Sequence, residues 1–187
     1  MYYFIRVNGA SVHTDPANKN CFVEKEPEEF RRVGYSNYLN YCLTHNFVRI
    51  GWPDVGDIKT GDRKGAKSNC YNWNTKNIIT DEVSEYLKEF SAIKVASIVL
   101  VPNRDKPGDV YIGVVAKPYW YEIDGPYECS HRIGVNWDCS SRGEPVAYSK
   151  EELGIYSYGG FWRRAFAIIQ NPKVISAIRI GRERKNI

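Results

Sequence analysis

The chain has 187 residues, enough for one domain with an appended part, and its 43% hydrophobic content supports a real core. The balance of 26 Lys and Arg against 22 Asp and Glu gives a net charge of +4 and a pI near 8.7, which permits nucleic-acid binding without demanding it. Five cysteines without a CxxC pair argue against a disulfide framework and a zinc ribbon, and no apolar run reaches the length of a membrane span.

Residues 2–7 (YYFIRV) are rich in β-formers and stop at the turn dipeptide Asn8-Gly9, so they predict a first strand. A polar stretch follows to Phe22. Residues 26–43 predict a helix, with Pro27 in its first turn and Phe30, Val33, Tyr38, Tyr41 and Cys42 on an apolar face. Residues 47–51 (FVRIG) predict a strand stopped by Trp52-Pro53.

The stretch 57–77 is rich in Gly, Lys and Asn and reads as a long loop, although it carries Tyr71 and Trp73. Thr80 is a candidate N-cap for a helix reaching Phe90. Residues 95–101 (VASIVLV) have the composition of a buried central strand. Residues 110–115 and 132–137 predict two further strands. Between them lies an expected loop holding Tyr119, Trp120, Tyr121 and Tyr127. Residues 161–170 and 173–178 predict helices separated by Asn171-Pro172, with a basic tail behind them. These elements predict an α+β domain: a curled mixed sheet or small open β-barrel of about six strands with flanking helices.

The aromatic loop is the feature with most functional content. Loops usually carry polar and turn residues, so clustered rings there suggest a surface that stacks on something flat, a nucleobase above all. The competing reading is that such rings cap the sheet or fill the core, and Trp137, in an alternating strand, fits the core better.

Catalysis finds little support. Pro53-Asp54 and Asp57-Ile58-Lys59 mimic a metal-nuclease motif, but the acids are too close in sequence for paired strands. There is no GxSxG and no P-loop, and His13, His45 and His131 lack recognisable partner spacing. Cys129, His131 and Cys139 lack an obvious fourth ligand, so neither a metal nor another cofactor is expected. The absence of a signal-peptide pattern at the first residues predicts a cytoplasmic location.

Several motifs together resemble the YTH/EVE branch of the PUA-like superfamily. They are the opening YFIRVN, a Gly-Val to Trp pattern from Gly113 to Trp120, and the strand Gly134-Val135-Asn136-Trp137 followed by polar residues and Pro145. The stretch FVRIGWPDVGD (47–57), with GDVYIG and HRIGVNW, is also similar to the EVE-like domain at the N-terminus of McrB-type subunits of modification-dependent restriction systems. The family's usual Gly-Asp before the third strand is replaced by Lys94-Val95-Ala96-Ser97, and the 57–77 loop is longer. The resemblance covers most of 1–145, which divides the chain into a base-binding domain over 1–147 and a helical extension with a basic tail over 148–187.

The resemblance implies a non-catalytic reader of a methylated base swung out of a nucleic-acid strand into an aromatic cage. N6-methyladenine is favoured, 5-methylcytosine comes second, and the target is DNA, with a YTH-like reader of methylated RNA as the alternative. One wall falls on Trp120, with Tyr119 and Tyr121 beside it. The other falls on Trp52 or Trp73, Trp52 being preferred. Asn8 matches the asparagine that bonds an adenine edge, although Asn-Gly also makes a plain turn. Arg6, Arg63, Lys64, Lys117, Arg163 and Arg164 are the candidates for backbone phosphates. Flipping costs a few kcal/mol, and stacking returns about 1–3 kcal/mol per base, so two walls offset the flip. The remainder of a larger restriction subunit is the expected protein partner, and no membrane is involved.

Overall fold

A computed structural model describes residues 1–7, 35–50, 57–59, 81–103, 106–122, 131–155 and 166–185. Seven strands form one mixed sheet. They are β1 (Tyr2–Ile5), β2 (Phe47–Ile50), β3 (Ile98–Pro102), β4 (Asp109–Tyr121), β5 (His131–Trp137), β6 (Ala147–Ser149) and β7 (Phe166–Ile168). Their order is β2-β5-β4-β3-β1-β7, with β6 pairing β4 off this path. The β1–β3 pair is parallel, and every other pair is antiparallel. The sheet curls, so that β1 comes within 8 Å of the edge strand β2 without pairing to it. The architecture is an open, curled mixed sheet with flanking helices.

Three helices flank the sheet among the described residues: α1 (Tyr35–Thr44), α2 (Asp81–Ser91) and α3 (Pro172–Arg184). Strand alternation sorts the apolar side chains into two cores. One gathers Tyr3, Ile5, Val99, Val101, Val115 and Ile133 with Leu39 and Cys42 of α1 and Leu87 and Phe90 of α2. The other holds Phe4, Leu100, Val110, Ile112 and Tyr148 with Val174 and Ile178 of α3. A sheet covered on both faces explains why β3 is apolar throughout rather than alternating.

Helix ends follow local chemistry. After α1 the chain reverses at Asn46, whose φ of 56° is a conformation asparagine tolerates better than most residues. Asn171 caps α3 by accepting from the Lys173 N–H at 3.0 Å, and Pro172 sits at the start, where a missing N–H costs nothing.

Four expectations are corrected. The strand expected from Val95 begins at Ile98, because Ala96 turns with φ 68° and its N–H bonds the Val115 carbonyl at 2.9 Å. Tyr119, Trp120 and Tyr121 are not in a loop. β4 continues through them for 13 residues. Pro118 lacks the N–H a ladder needs, and β4 accommodates it with register shifts between Val115 and Lys117 and between Lys117 and Trp120. Tyr127 lies outside the described residues.

The helix expected over 161–170 is, in its described part, strand β7, with Phe166 in the first core and Ala167 in the second. It pairs with β1, so the region expected to be a helical extension also supplies a strand of the sheet. The last helix runs to Arg184 and absorbs the basic tail. The helix expected from Glu26 is described from Tyr35 onward.

Candidate functional site

The long antiparallel run of β4 and β5 carries two rows of side chains to one end of the sheet. Trp120 stands opposite Arg132, which stands opposite Arg49. One residue on, Tyr121 stands opposite His131, which stands opposite Ile50. Neighbouring residues of a strand point to opposite faces, and the contacts divide the same way.

The Trp120 row is aromatic and cationic. Phe47 meets the Trp120 ring edge-on at 6.4 Å and Tyr41 at 5.6 Å. The Arg132 guanidinium lies over Phe47 at 4.7 Å. Arg132 also forms an ion pair with Glu122, which accepts the Trp120 indole N–H at 3.3 Å. The Arg132 side chain is 7% exposed and Glu122 47%, so the pair joins the protein interior to solvent. Trp120 itself is half-buried. Its ring is backed by Phe47 and its N–H is held by Glu122, which fixes the orientation of the indole.

The Tyr121 row is a hydrogen-bonded interior. The Tyr119 hydroxyl and His131 Nδ1 are 2.9 Å apart, and His131 is fully buried. Tyr121 packs on the imidazole at 5.2 Å, and Phe90 of α2 meets Tyr119 edge-on at 6.2 Å. The Lys59 ammonium stands 5.6 Å from the Tyr119 ring. Burial pushes the Tyr119 phenol well up; the Asp57 carboxylate adds to this, and a hydrogen bond from the Ile58 backbone offsets part of it. This phenol stays protonated at neutral pH and does structural work.

The expected residues therefore separate. Trp120 is a partly open ring on one face of β4. Tyr119, 6% exposed, and the half-buried Tyr121 belong with His131 on the other face. The three do not form one continuous wall.

Lys117 is exposed, its stem lying against Gly134, where a Cβ would come within 2.7 Å of it. Arg6 lies in electrostatic reach of Lys150, whose ammonium donates to the Pro107 carbonyl near the start of β4, ten residues before Lys117. Arg6 and Lys117 thus do not share one patch. Asn8, Trp52, Trp73, Arg63, Lys64, Arg163 and Arg164 lie outside the described residues. Sequence reasoning missed Phe47, Glu122 and Arg132 as partners of Trp120. The signal was present in the alternation of FVRI and HRIG, which places an arginine between apolar residues in both strands.

A second polar cluster sits after β5. The Asp138 carboxylate, 2% exposed, accepts from Arg182 Nε and Nη2 at 2.7 Å each and from the Tyr148 hydroxyl at 3.0 Å. The bond to Asp138 raises the Arg182 guanidinium above its ordinary value, while burial pushes the Tyr148 phenol up. Lys185 adds its ammonium 4.4 Å over the Tyr148 ring. This cluster fastens α3 to the sheet. Among the described residues no group of three His, Cys, Asp or Glu side chains could hold a metal ion, and no helix is long and apolar enough to cross a membrane.

The model of a protein family described as "Domain of unknown function (DUF8426)" matches residues 30–153, a stretch that includes β2 to β6 and both rows of the site. No curated protein matches the chain.

Proposed function

We propose that this chain, which belongs to the DUF8426 family, is a non-catalytic nucleic-acid-binding domain that reads a methylated base flipped against Trp120. The observation that carries the reading is the Trp120 ring: half-buried, backed by Phe47, and tied through its N–H to Glu122. A base stacking there pays little to order the protein side. The second wall is assigned to Trp52 on the strength of the FVRIGWPDVGD motif; it follows β2, whose residues pair with β5 at this end of the sheet, and itself lies outside the described residues.

The target is methylated DNA, N6-methyladenine before 5-methylcytosine, and the domain serves as the specificity module of a McrB-type restriction subunit. The YTH/EVE-like motifs support this assignment, and an open curled sheet is compatible with a PUA-like fold.

The test is a titration of intrinsic tryptophan fluorescence with short duplexes that are unmodified or carry either methylated base, and with matching RNA strands. Wild-type protein is expected to favour the methylated DNA. Trp120→Ala is expected to lower that affinity by about 1–3 kcal/mol, roughly 5- to 150-fold, the contribution of one stacked base. A cooperative thermal transition in the variant shows that the loss is not unfolding. Equal affinity of variant and wild type, or no binding to any probe at low salt, refutes the reading. Preference for methylated RNA redirects it to the RNA alternative.

A further inference from the structure

The excess of positive over negative charge in this chain falls at its last helix. Residues 172–185, which are α3 and the Lys185 that follows it, hold five cations (Lys173, Arg179, Arg182, Arg184, Lys185) and one anion, Glu183. That is a net +4, equal to the net +4 of the whole chain, so the other 173 residues together carry no net charge.

Two ordinary roles for these cations leave a surplus. One is the ion pair that fastens the helix, which uses Arg182 against Asp138. The other is compensation of the helix dipole. The C-terminal end of a helix is equivalent to about half a negative charge, which a single cation satisfies. Lys185 meets that need at the helix end, where its ammonium also donates to the Ala147 carbonyl at 3.1 Å. Arg179 is within 3.9 Å of Glu183, but both side chains are more than two-thirds exposed. Lys173 and Arg184 are exposed as well.

Helical spacing aligns part of this surplus. Lys173, Ile180 and Arg184, at i, i+7 and i+11, fall on one flank of the face turned from the buried Val174 and Ile178; Arg179 lies on the other flank, about 120° round the helix, with Glu183 between them. The flank of Lys173 and Arg184 spans about 16 Å at 1.5 Å per residue, which covers about five phosphates of one strand at about 3.4 Å of duplex axis each. Its acidic neighbours are Glu183 on the helix and the exposed Glu151 and Glu152, next to Leu153, which packs where Gly181 docks.

We infer that the outer face of α3 is a sequence-independent docking surface for a nucleic-acid phosphate backbone. An anionic membrane surface fits less well. A helix that lies in a membrane inserts its apolar face, and here that face is occupied by the sheet, leaving Ile180, 40% exposed, as the single large apolar side chain open on the helix. The surface lies outside the stretch matched by the family model and over the opposite core from the α1 and α2 side of the sheet. It does not require Trp120 to read a base.

The experiment measures the salt dependence of binding to an unmodified 20-base-pair DNA duplex. It compares the wild-type chain, a triple variant Lys173→Gln, Arg179→Gln, Arg184→Gln, and a charge-conserving variant Lys173→Arg, Arg179→Lys, Arg184→Lys. The slope of log affinity against log salt is expected to flatten by about 2 to 3 in the glutamine variant, since each phosphate contact contributes about 0.9. The charge-conserving variant is expected to keep the wild-type slope. Arg182 and Lys185 stay intact so that α3 remains docked, and an unchanged thermal transition verifies this. The ratio of affinities for methylated and unmodified duplex is expected to be the same in all three proteins, which separates this surface from the base site. An unchanged slope in the glutamine variant overturns the inference. So does failure of the wild type to bind duplex at low salt, or a loss confined to phosphatidylserine vesicles.

Discussion

Replacing Arg182 with alanine isolates the fastening of α3. In the folded protein Asp138 is 2% exposed and accepts both guanidinium bonds of Arg182 at 2.7 Å. Deleting the cation leaves a desolvated carboxylate with Tyr148 as its remaining donor among these partners. Breaking a buried pair from one side costs about 3–5 kcal/mol. The Arg182 side chain keeps 20% exposure, so water can approach the vacated site, and the lower end of the range applies, about 3 kcal/mol. For a chain of this size that is a fall in Tm of about 6–12 °C. Asp138→Asn retains the shape and an acceptor, and is expected to cost about 1–2 kcal/mol. Urea unfolding of Arg182→Ala, Asp138→Ala and the double alanine variant gives the coupling, and the double is expected to cost clearly less than the sum. A loss below about 1 kcal/mol in Arg182→Ala, with additive double-variant energies, would mean that Val174 and Ile178 hold the helix by packing alone.

Three further outcomes follow from the same geometry. Tyr119 and Tyr148 keep their protons in the folded state above the ordinary tyrosine value of 10.0, while the unfolded chain releases them there. The native state then binds more protons, so stability is expected to fall by up to about 1.4 kcal/mol per pH unit for each tyrosine above pH 10, and Tyr148→Phe removes one share from urea midpoints measured between pH 9 and 11.5. Gly113→Ala would place a Cβ 2.4 Å from Val135 Cγ1 and 2.8 Å from the Asn136 carbonyl oxygen, which the paired backbone cannot relieve; a loss of about 3 kcal/mol in chemical denaturation is expected. Tyr119→Phe removes the hydrogen bond between its hydroxyl and His131 Nδ1 and is expected to cost about 0.5–1.5 kcal/mol in the same assay, with little change in nucleic-acid affinity, because that hydroxyl faces the interior.

Most strands were legible because their signal is local. The runs 47–50, 98–102 and 131–137 are short, rich in β-formers and bounded by turn residues, and each is a strand. The failures have definite causes. The strand expected over 110–115 stops short of Lys117-Pro118, yet a bulge lets β4 pass through them. Phe166 to Ile168 is too short an apolar run for periodicity to separate helix from strand, and pairing with β1 decides it. The bond between Asp138 and Arg182 joins residues 44 apart, so nothing local announces it, and the arginine read from sequence as part of a basic tail is a fastener.

The placement of the rings on β4 decides which of them one guest can reach. In a loop, Tyr119, Trp120 and Tyr121 could turn together toward one guest. On a strand they cannot, because the pleat sends Trp120 to one face with Phe47 and Arg132 and gives Tyr119 and Tyr121 to His131 on the other. Only one ring of the three is then available to a base on the Trp120 side, and one face of it stacks at most one guest. A sandwich therefore needs its second wall from a different segment of the chain. The reading accordingly stands or falls on two separate substitutions, Trp120 and Trp52, each expected to remove one stacking contribution of about 1–3 kcal/mol. Two losses that each reach this size and together approach their sum describe a base held between two walls; a loss at Trp120 alone describes a ring on an open surface.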